Sequence, residues 1–416
     1  MFLLRLFFYF IFVLIIGCGS SSEEKGNKAT KTSTPSSLIP DTYKNLSNVF
    51  AGSGSANYPY KMLFERDLTF KGDNDHYISP SGEFAVDDRG NVFVTGENGI
   101  IVFDSEGNII KKLGRRGRGP GEFLNMTSLS PKIRKGNLYT YDDVLGRIQV
   151  FDLKNLEFSN SIIINSRQIN VGENVETSIQ RLVDVTDNAL LFEYEDIRTA
   201  DIEKEIFRRY YLVDQNGDLF SEEVLIIQYK NPNNTKAYYF GPQNFFFPLP
   251  NASDRQTRIN FDSNNNIYTS WTEDFFIKIF NPQGKYQRSV FYPYQNSSLN
   301  EEEIIDSFKY NEEVYQRARK YKYPETWPAI DRFFVDDEDR IWVATITDDV
   351  ENYEWWVLKS SGELISKFKW PGKRIERARR FRIKPLVKDG YFYLMETDQN
   401  TGDSYLARYK ITFKQR

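Results

Sequence analysis

From residue 83 onward the chain reads EFAVDDRG, NVFVTGENG, IIVFDSEG and NIIKKLG: four short apolar runs, each ended by turn formers. The phrase returns at 257–292 and 332–370, and in weaker form at 138–164, 180–228 and 383–413. Alternating apolar residues bounded by Gly, Asn and Asp mark antiparallel strands joined by tight turns. Four such strands per unit, at a period of roughly 50 residues, is the layout of blades set around an axis. Six units can be counted, and the sixth is one strand short. Residues 60–70, YKMLFERDLTF, form a strand-like run that precedes the first unit and belongs to none. Placing that run as the fourth strand of unit six closes the ring and removes an open edge. The fold expected is all-β: a six-bladed β-propeller of four-stranded antiparallel blades, closed by an N-terminal strand in the last blade.

Aromatic residues make up 16% of the 416 positions, a bias that suits pleated, half-buried surfaces. A formal charge of −4 argues against nucleic acid as a partner. One Cys rules out an intramolecular disulfide framework. With only one His as well, Cys/His zinc clusters and a Ser–His–Asp triad are excluded unless His76 is the base.

The chain opens MFLLRLFFYFIFVLIIGCGSSSEE, with an apolar run from Phe2 to Ile16 broken only by Arg5. At about 20 residues per membrane-spanning helix the run is short for a span, and it has the length of an export-signal core. Its end, Leu14-Ile15-Ile16-Gly17-Cys18, resembles the bacterial lipobox, and the sole cysteine stands where that motif requires one. The resemblance implies a diacylglyceryl group on Cys18, which becomes the mature N-terminus and the membrane anchor. Gly19 follows rather than Asp, so the expected address is the outer membrane. Residues 19 to about 57 are rich in Ser, Gly, Thr, Lys, Asn and Pro, and bury too little apolar surface to offset their chain entropy. The expected plan is a signal peptide at 1–17, a flexible tether at 18–57 and the propeller at 58–416.

The phrases FAVDDRGNVFV, IIVFDSEGNIIKKLG and GRGPGEF resemble NHL-type repeats and, together with the lipobox, bacterial six-bladed β-propeller lipoproteins. The likeness runs from about residue 60 to the end of the chain. In such proteins the Gly-rich phrase links the outer strand of one blade to the inner strand of the next, which is where GRRGRGPGEF (114–123) falls. Taken alone, that stretch looks like a phosphate cradle. A dinucleotide fingerprint needs a strand before it and a helix after it, and a P-loop ends in Lys-Ser/Thr. Here Pro120, Glu122 and Phe123 lead into another strand, so the glycines are read as a connector that turns at positive φ.

Strand parity puts turns one–two and three–four of each blade on one face, and turns two–three and the crossovers on the other. The recurrent acids Asp87-Asp88, Asp262 and Asp336-Asp337 fall in turns of the first kind and are read as turn formers, not metal ligands. The insertions 229–256, 293–329 and 371–382 are crossovers and share the second face. The candidates for ligand or partner contact there are Arg115, Arg116, Arg118, Tyr238, Phe246, Tyr323, Trp327, Arg374, Arg377 and Arg380. Guanidinium and aromatic groups suit anionic or sugar-like ligands, or an extended peptide. No catalytic residue, metal site or cofactor is read from the sequence. The function expected is a monomeric, lipid-anchored, non-enzymatic binding or scaffold module of the cell envelope, for a protein, carbohydrate or anionic ligand. The alternative is a metal-dependent propeller hydrolase or lyase of the lactonase or strictosidine-synthase kind, with Glu122 and Glu301–Glu303 as possible oxygen ligands.

Overall fold

The computed structural model describes residues 39–416 except 55–56, 81, 127–128, 173–174, 198–205, 221–222, 231–237, 241–244, 248–251 and 376–384. Two strands precede the repeats, β1 (Val49–Ala51) and β2 (Tyr60–Lys71). Blade one is β3 (Phe84–Val86), β4 (Val92–Gly96), β5 (Gly99–Phe103) and β6 (Ile109–Leu113). Blade two is β7 (Lys132–Arg134), β8 (Asn137–Asp142), β9 (Arg147–Asp152) and β10 (Glu157–Ile163). Blade three holds β11 (Gln168–Gly172), β12 (Val175–Val185), β13 (Leu190–Ile197), β14 (Ile206–Val213) and β15 (Leu225–Lys230). A separate hairpin, β16 (Tyr238–Phe240) and β17 (Phe245–Phe247), follows it. Blade four is β18 (Thr257–Phe261), β19 (Ile267–Trp271), β20 (Phe276–Phe280) and β21 (Tyr286–Phe291). Helices α1 (Glu301–Asp306) and α2 (Glu312–Ala318) lead to blade five, β22 (Ile330–Val335), β23 (Ile341–Thr345), β24 (Asn352–Leu358) and β25 (Leu364–Pro371). Blade six is β26 (Leu386–Lys388), β27 (Tyr391–Thr397), β28 (Ser404–Gln415) and the returning β2. The chain is a six-bladed β-propeller.

The hydrophobic pattern explains the layering. In blade one the middle strands, VFVTG and GIIVF, are buried at every position, because each blade is covered on both faces by its neighbours. The outer strand IIKKL alternates, with Lys111 and Lys112 beside the half-exposed Ile109 and Ile110 and only Leu113 buried. Between blades one and two, Phe93, Ile100, Phe123, Leu138 and Phe151 form one apolar cluster. Full burial of each such side chain contributes about 1.5–3 kcal/mol.

Closure is as the strand count requires. β2 pairs antiparallel with β28 from Tyr60 opposite Gln415 to Lys71 opposite Tyr405. Arg66 on β2 binds the Glu396 carboxylate and donates to the Tyr409 hydroxyl at 2.7 Å, stitching three strands of the last blade. Of the turn acids, Asp87, Asp262 and Asp336 cap their own turns as read from the sequence, whereas Asp88 pairs with Lys388 and Asp337 accepts from the Asp389 amide at 2.7 Å, both of blade six. Asp87 accepts from the Arg89 and Asn91 amides at 2.9 and 2.8 Å, and Asp262 from those of Asn264 and Asn266 at the same distances. Asp336 accepts from the Arg340 amide at 2.8 Å and from the Trp342 indole at 2.7 Å.

Two blades carry more than four strands. In blade three β12 is 11 residues long, and β11 pairs with its first half. In blade four β1 adds a parallel strand outside β21, with Val49 opposite Ser289 and Ala51 opposite Phe291. The segment expected to be tether up to residue 57 is therefore packed from residue 39. Tyr43 stacks on Phe276 at 3.8 Å and donates to Asp274 at 2.9 Å, and β1 covers an edge that solvent would otherwise meet. The expected signal peptide at 1–17 and the candidate lipidation site, Cys18, lie outside the described residues.

Candidate functional site

The Gly-rich connector runs from β6 to β7 over blade two. Gly114 has φ of +70°, and a Cβ there would stand 2.3 Å from the Phe123 ring, so glycine is what lets Phe123 sink between blades. The cradle already holds an anion, and it is the chain's own. The Glu122 carboxylate accepts from the Gly119 amide at 2.7 Å and from Arg115 Nε at 2.7 Å. The Gly119 amide foremost, then Arg115, holds the Glu122 carboxyl below its ordinary range. Arg147 Nη2 donates to the Arg118 carbonyl at 3.0 Å, Gln149 Nε2 to the Glu122 carbonyl at 2.7 Å, and the Leu124 amide donates to Asp142 at 2.6 Å. Braced in this way, the loop leaves Arg115, Arg116 and Arg118 exposed, and the Arg116 and Arg118 guanidinium groups have no protein partner among the described residues.

Two other candidates are committed to the fold. Arg374 is 7% exposed and Trp327 is 0% exposed. Arg374 donates to Glu303 of α1 through Nε at 2.9 Å and Nη2 at 2.6 Å, and through Nη1 to the Thr347 carbonyl at 2.9 Å. Its guanidinium lies 5.0 Å from the Trp327 ring, and Trp327 packs with residues of blades five and six. This corrects the expectation of a ligand contact: both side chains clamp α1 to the ring. Tyr323 is half-buried and donates to the Ala318 carbonyl at 3.1 Å, closing the end of α2. In the β16–β17 hairpin, Tyr238 stands opposite Phe247 and Tyr239 opposite Phe246. The side chains of Tyr238 and Phe246, like Arg377 and Arg380 entirely, lie outside the described residues.

An ionic set that sequence reading missed lies in blade three. Glu193 on β13 is buried, with Arg181 Nη2 at 3.1 Å, Arg208 Nη1 at 3.2 Å and the Tyr210 hydroxyl donating at 2.8 Å. Burial alone would push the Glu193 carboxyl up, but Arg181 and Arg208 overcome it and bring the carboxyl down to about 2. Glu193 in turn is the main reason that Arg181 stays firmly protonated, with Tyr210 and Glu83 adding to it. Glu83, just before β3, accepts from the Ser130 hydroxyl and lies 3.8 Å from Lys132 of β7. The set thus joins the inner strands of blades one to three. Among the described residues, no group of three or more His, Cys, Asp or Glu side chains is placed to hold a metal ion.

Comparison with known proteins agrees on the class. A family model, DUF5128, described as a 6-bladed beta-propeller, matches residues 85–238. No curated protein matches the chain. Among solved structures, a member of the duf4221 family from Bacteroides vulgatus is 13% identical with a TM-score of 0.52, over 86% of this chain and 99% of that one. A Bacteroides fragilis protein described by name as exported is 11% identical with a TM-score of 0.49, over 88% and 99%. Virginiamycin B lyase of Staphylococcus aureus is 12% identical with a TM-score of 0.35, over 86% and 96%. At these identities the likeness is one of fold. No helix among the described residues is long and apolar enough to cross a membrane.

Proposed function

We propose that this propeller is an exported, lipid-anchored binding module that takes an envelope protein or glycan on its crossover face and carries out no chemistry of its own. One observation carries the proposal: Arg116 and Arg118 are held out to solvent by a loop whose own anion, Glu122, braces it from within. Exposed guanidinium groups on a braced loop suit carboxylates, phosphates and sulfated or hydroxyl-rich partners, because less ordering entropy of the backbone opposes binding. Asp87, Asp262 and Asp336 are occupied by their own turns, which disfavours metal-assisted hydrolysis through them. The lipobox, with Gly19 after Cys18, supports anchoring at Cys18 and the outer membrane as address, and ring closure through β2 and β28 suits a monomeric propeller as the working form.

The test pairs the lipidated wild type with an Arg116→Glu/Arg118→Glu variant. Both are cross-linked in intact cells and their adducts compared. Loss of the wild-type adducts from the variant is expected, and an identical set from both overturns the proposal. Fatty-acid labelling that persists in Cys18→Ser would overturn the anchor.

A further inference from the structure

We propose a second binding site, for a short neutral saccharide, in the cleft between blades five and six on the face opposite the crossovers. The cleft has a volume of about 390 Å³, which lies within the range of about 300–1,000 Å³ of small-molecule sites. Its walls come from four distant stretches. Glu338 stands in the turn between β22 and β23, and Lys359 and Ser360 in the turn between β24 and β25. Tyr60 opens β2, and Phe413 lies near the end of β28. The site therefore exists only once the ring has closed.

Its charge is balanced against ions of either sign. Arg340 is held by the buried Asp336 at 2.7 Å and by Glu338 at 2.9 Å, and Lys359 pairs with Glu363 at 2.6 Å. Three acids (Asp336, Glu338 and Glu363) against three bases (Arg340, Lys359 and Arg288, which binds the Ser360 carbonyl) leave no surplus charge to attract an anion or a cation. What remains is aromatic surface and hydroxyl chemistry. The Tyr60 and Phe413 rings meet at 6.1 Å and 85°, forming a corner; one face of Phe413 is taken by Arg340 at 5.4 Å. Tyr60, 40% exposed, supplies open aromatic surface on which the C–H face of a sugar ring can pack.

Phe413, Ile365 and Arg340 pack into the fold through their side chains, whereas Tyr60 and Ser360 are tied to it by hydrogen bonds of their main chain. The Tyr60 carbonyl accepts from the Ser366 hydroxyl at 2.8 Å, and the Ser360 carbonyl accepts from Arg288. Among the described residues neither the Tyr60 nor the Ser360 hydroxyl makes a hydrogen bond, and the Tyr60 hydroxyl lies within electrostatic reach of the Lys359 ammonium. Fixed main chain with hydroxyls free of hydrogen bonds, beside carboxylate and amino groups, suits the donors and acceptors of a polyol.

Saturation-transfer NMR on the intact chain tests this with glucose, galactose, mannose and N-acetylglucosamine, alongside glucuronate and glucosamine. Transfer to at least one neutral sugar, stronger than to the charged pair, is expected. Tyr60→Ala should weaken that binding at least about tenfold, the scale of one lost aromatic contact. Tyr60 begins the closing strand, so Ser360→Ala, which keeps its carbonyl, provides the second variant and should weaken binding about threefold or more, the scale of one hydrogen bond. The Arg116→Glu/Arg118→Glu variant should bind sugar as wild type does, which separates this site from the crossover face. No transfer to any neutral sugar, preference for a charged one, or unchanged affinity in Ser360→Ala overturns the proposal.

Discussion

Glu193→Gln removes the charge at the centre of the ionic set in blade three, and its cost can be reached by two routes. Glu193 is buried against Arg181 at 3.1 Å, Arg208 at 3.2 Å and Tyr210 at 2.8 Å. Breaking a buried pair from one side costs about 3–5 kcal/mol, because the remaining charges lose their counterion. The titration gives a second figure. The carboxyl falls from a free value of 4.5 to about 2 in the fold, worth about 3 kcal/mol. With an unfolding entropy of roughly 2.1 cal/mol/K per residue over about 360 residues, Tm moves by about 1.3 °C per kcal/mol. Calorimetry at pH 7 should therefore find Glu193→Gln about 4–6 °C below wild type. The folded carboxyl titrates below the unfolded one, so its contribution is complete above pH 4.5 and is lost as pH falls towards 2. Denaturant titrations at pH 3 should show less than half of the stability gap seen at pH 7. A Tm loss below about 1 °C at pH 7, or a gap of the same size at both pH values, would refute a buried carboxylate stabilised by the two arginines.

Arg374→Ala should cost about 3 kcal/mol, since it frees Glu303 and uncovers Trp327. Glu303→Ala should cost a similar amount, and the double variant little more, as denaturant midpoints will tell; full additivity would mean the two do not act as a pair. Glu122→Ala should speed tryptic cleavage after Arg115, Arg116 and Arg118 while leaving the global melt in place, and an unaltered cleavage rate would show that Glu122 does not brace the loop. A chain beginning at residue 72 lacks β2 and should give no cooperative melt, whereas one beginning at residue 58 keeps the closing strand and should melt cooperatively at a lower temperature.

The blades were legible because the same phrase recurs and its strands are too apolar to face water on either side. The closing strand followed from counting, since an incomplete last repeat and an orphan first run imply each other. β1 was hidden for a physical reason: Val49, Phe50 and Ala51 are only three residues, set in a polar stretch, and their partner β21 is some 240 positions away. The same distance problem governs the site. Arg374 reads as one more arginine in a basic crossover, and nothing near it in sequence announces Glu303 on a helix 71 residues earlier. Glu193 reads as the polar beat of a strand, LLFEYEDI, and becomes a buried charge only when β12 and β14 flank it with Arg181 and Arg208. The acidic turns were the easiest to assign, because Asp87, Asp262 and Asp336 bond to amides two to four residues on.

The pairing of β2 with β28 also sets a clock. Residues 60–71 leave the ribosome long before their partners, 404–415. Such a long-range contact is slow to form, and it cannot begin before β28 has emerged. A message cut short after Asp403 would yield no slightly smaller protein but an unfinished circle, with β2 and β27 each bare where β28 should pair.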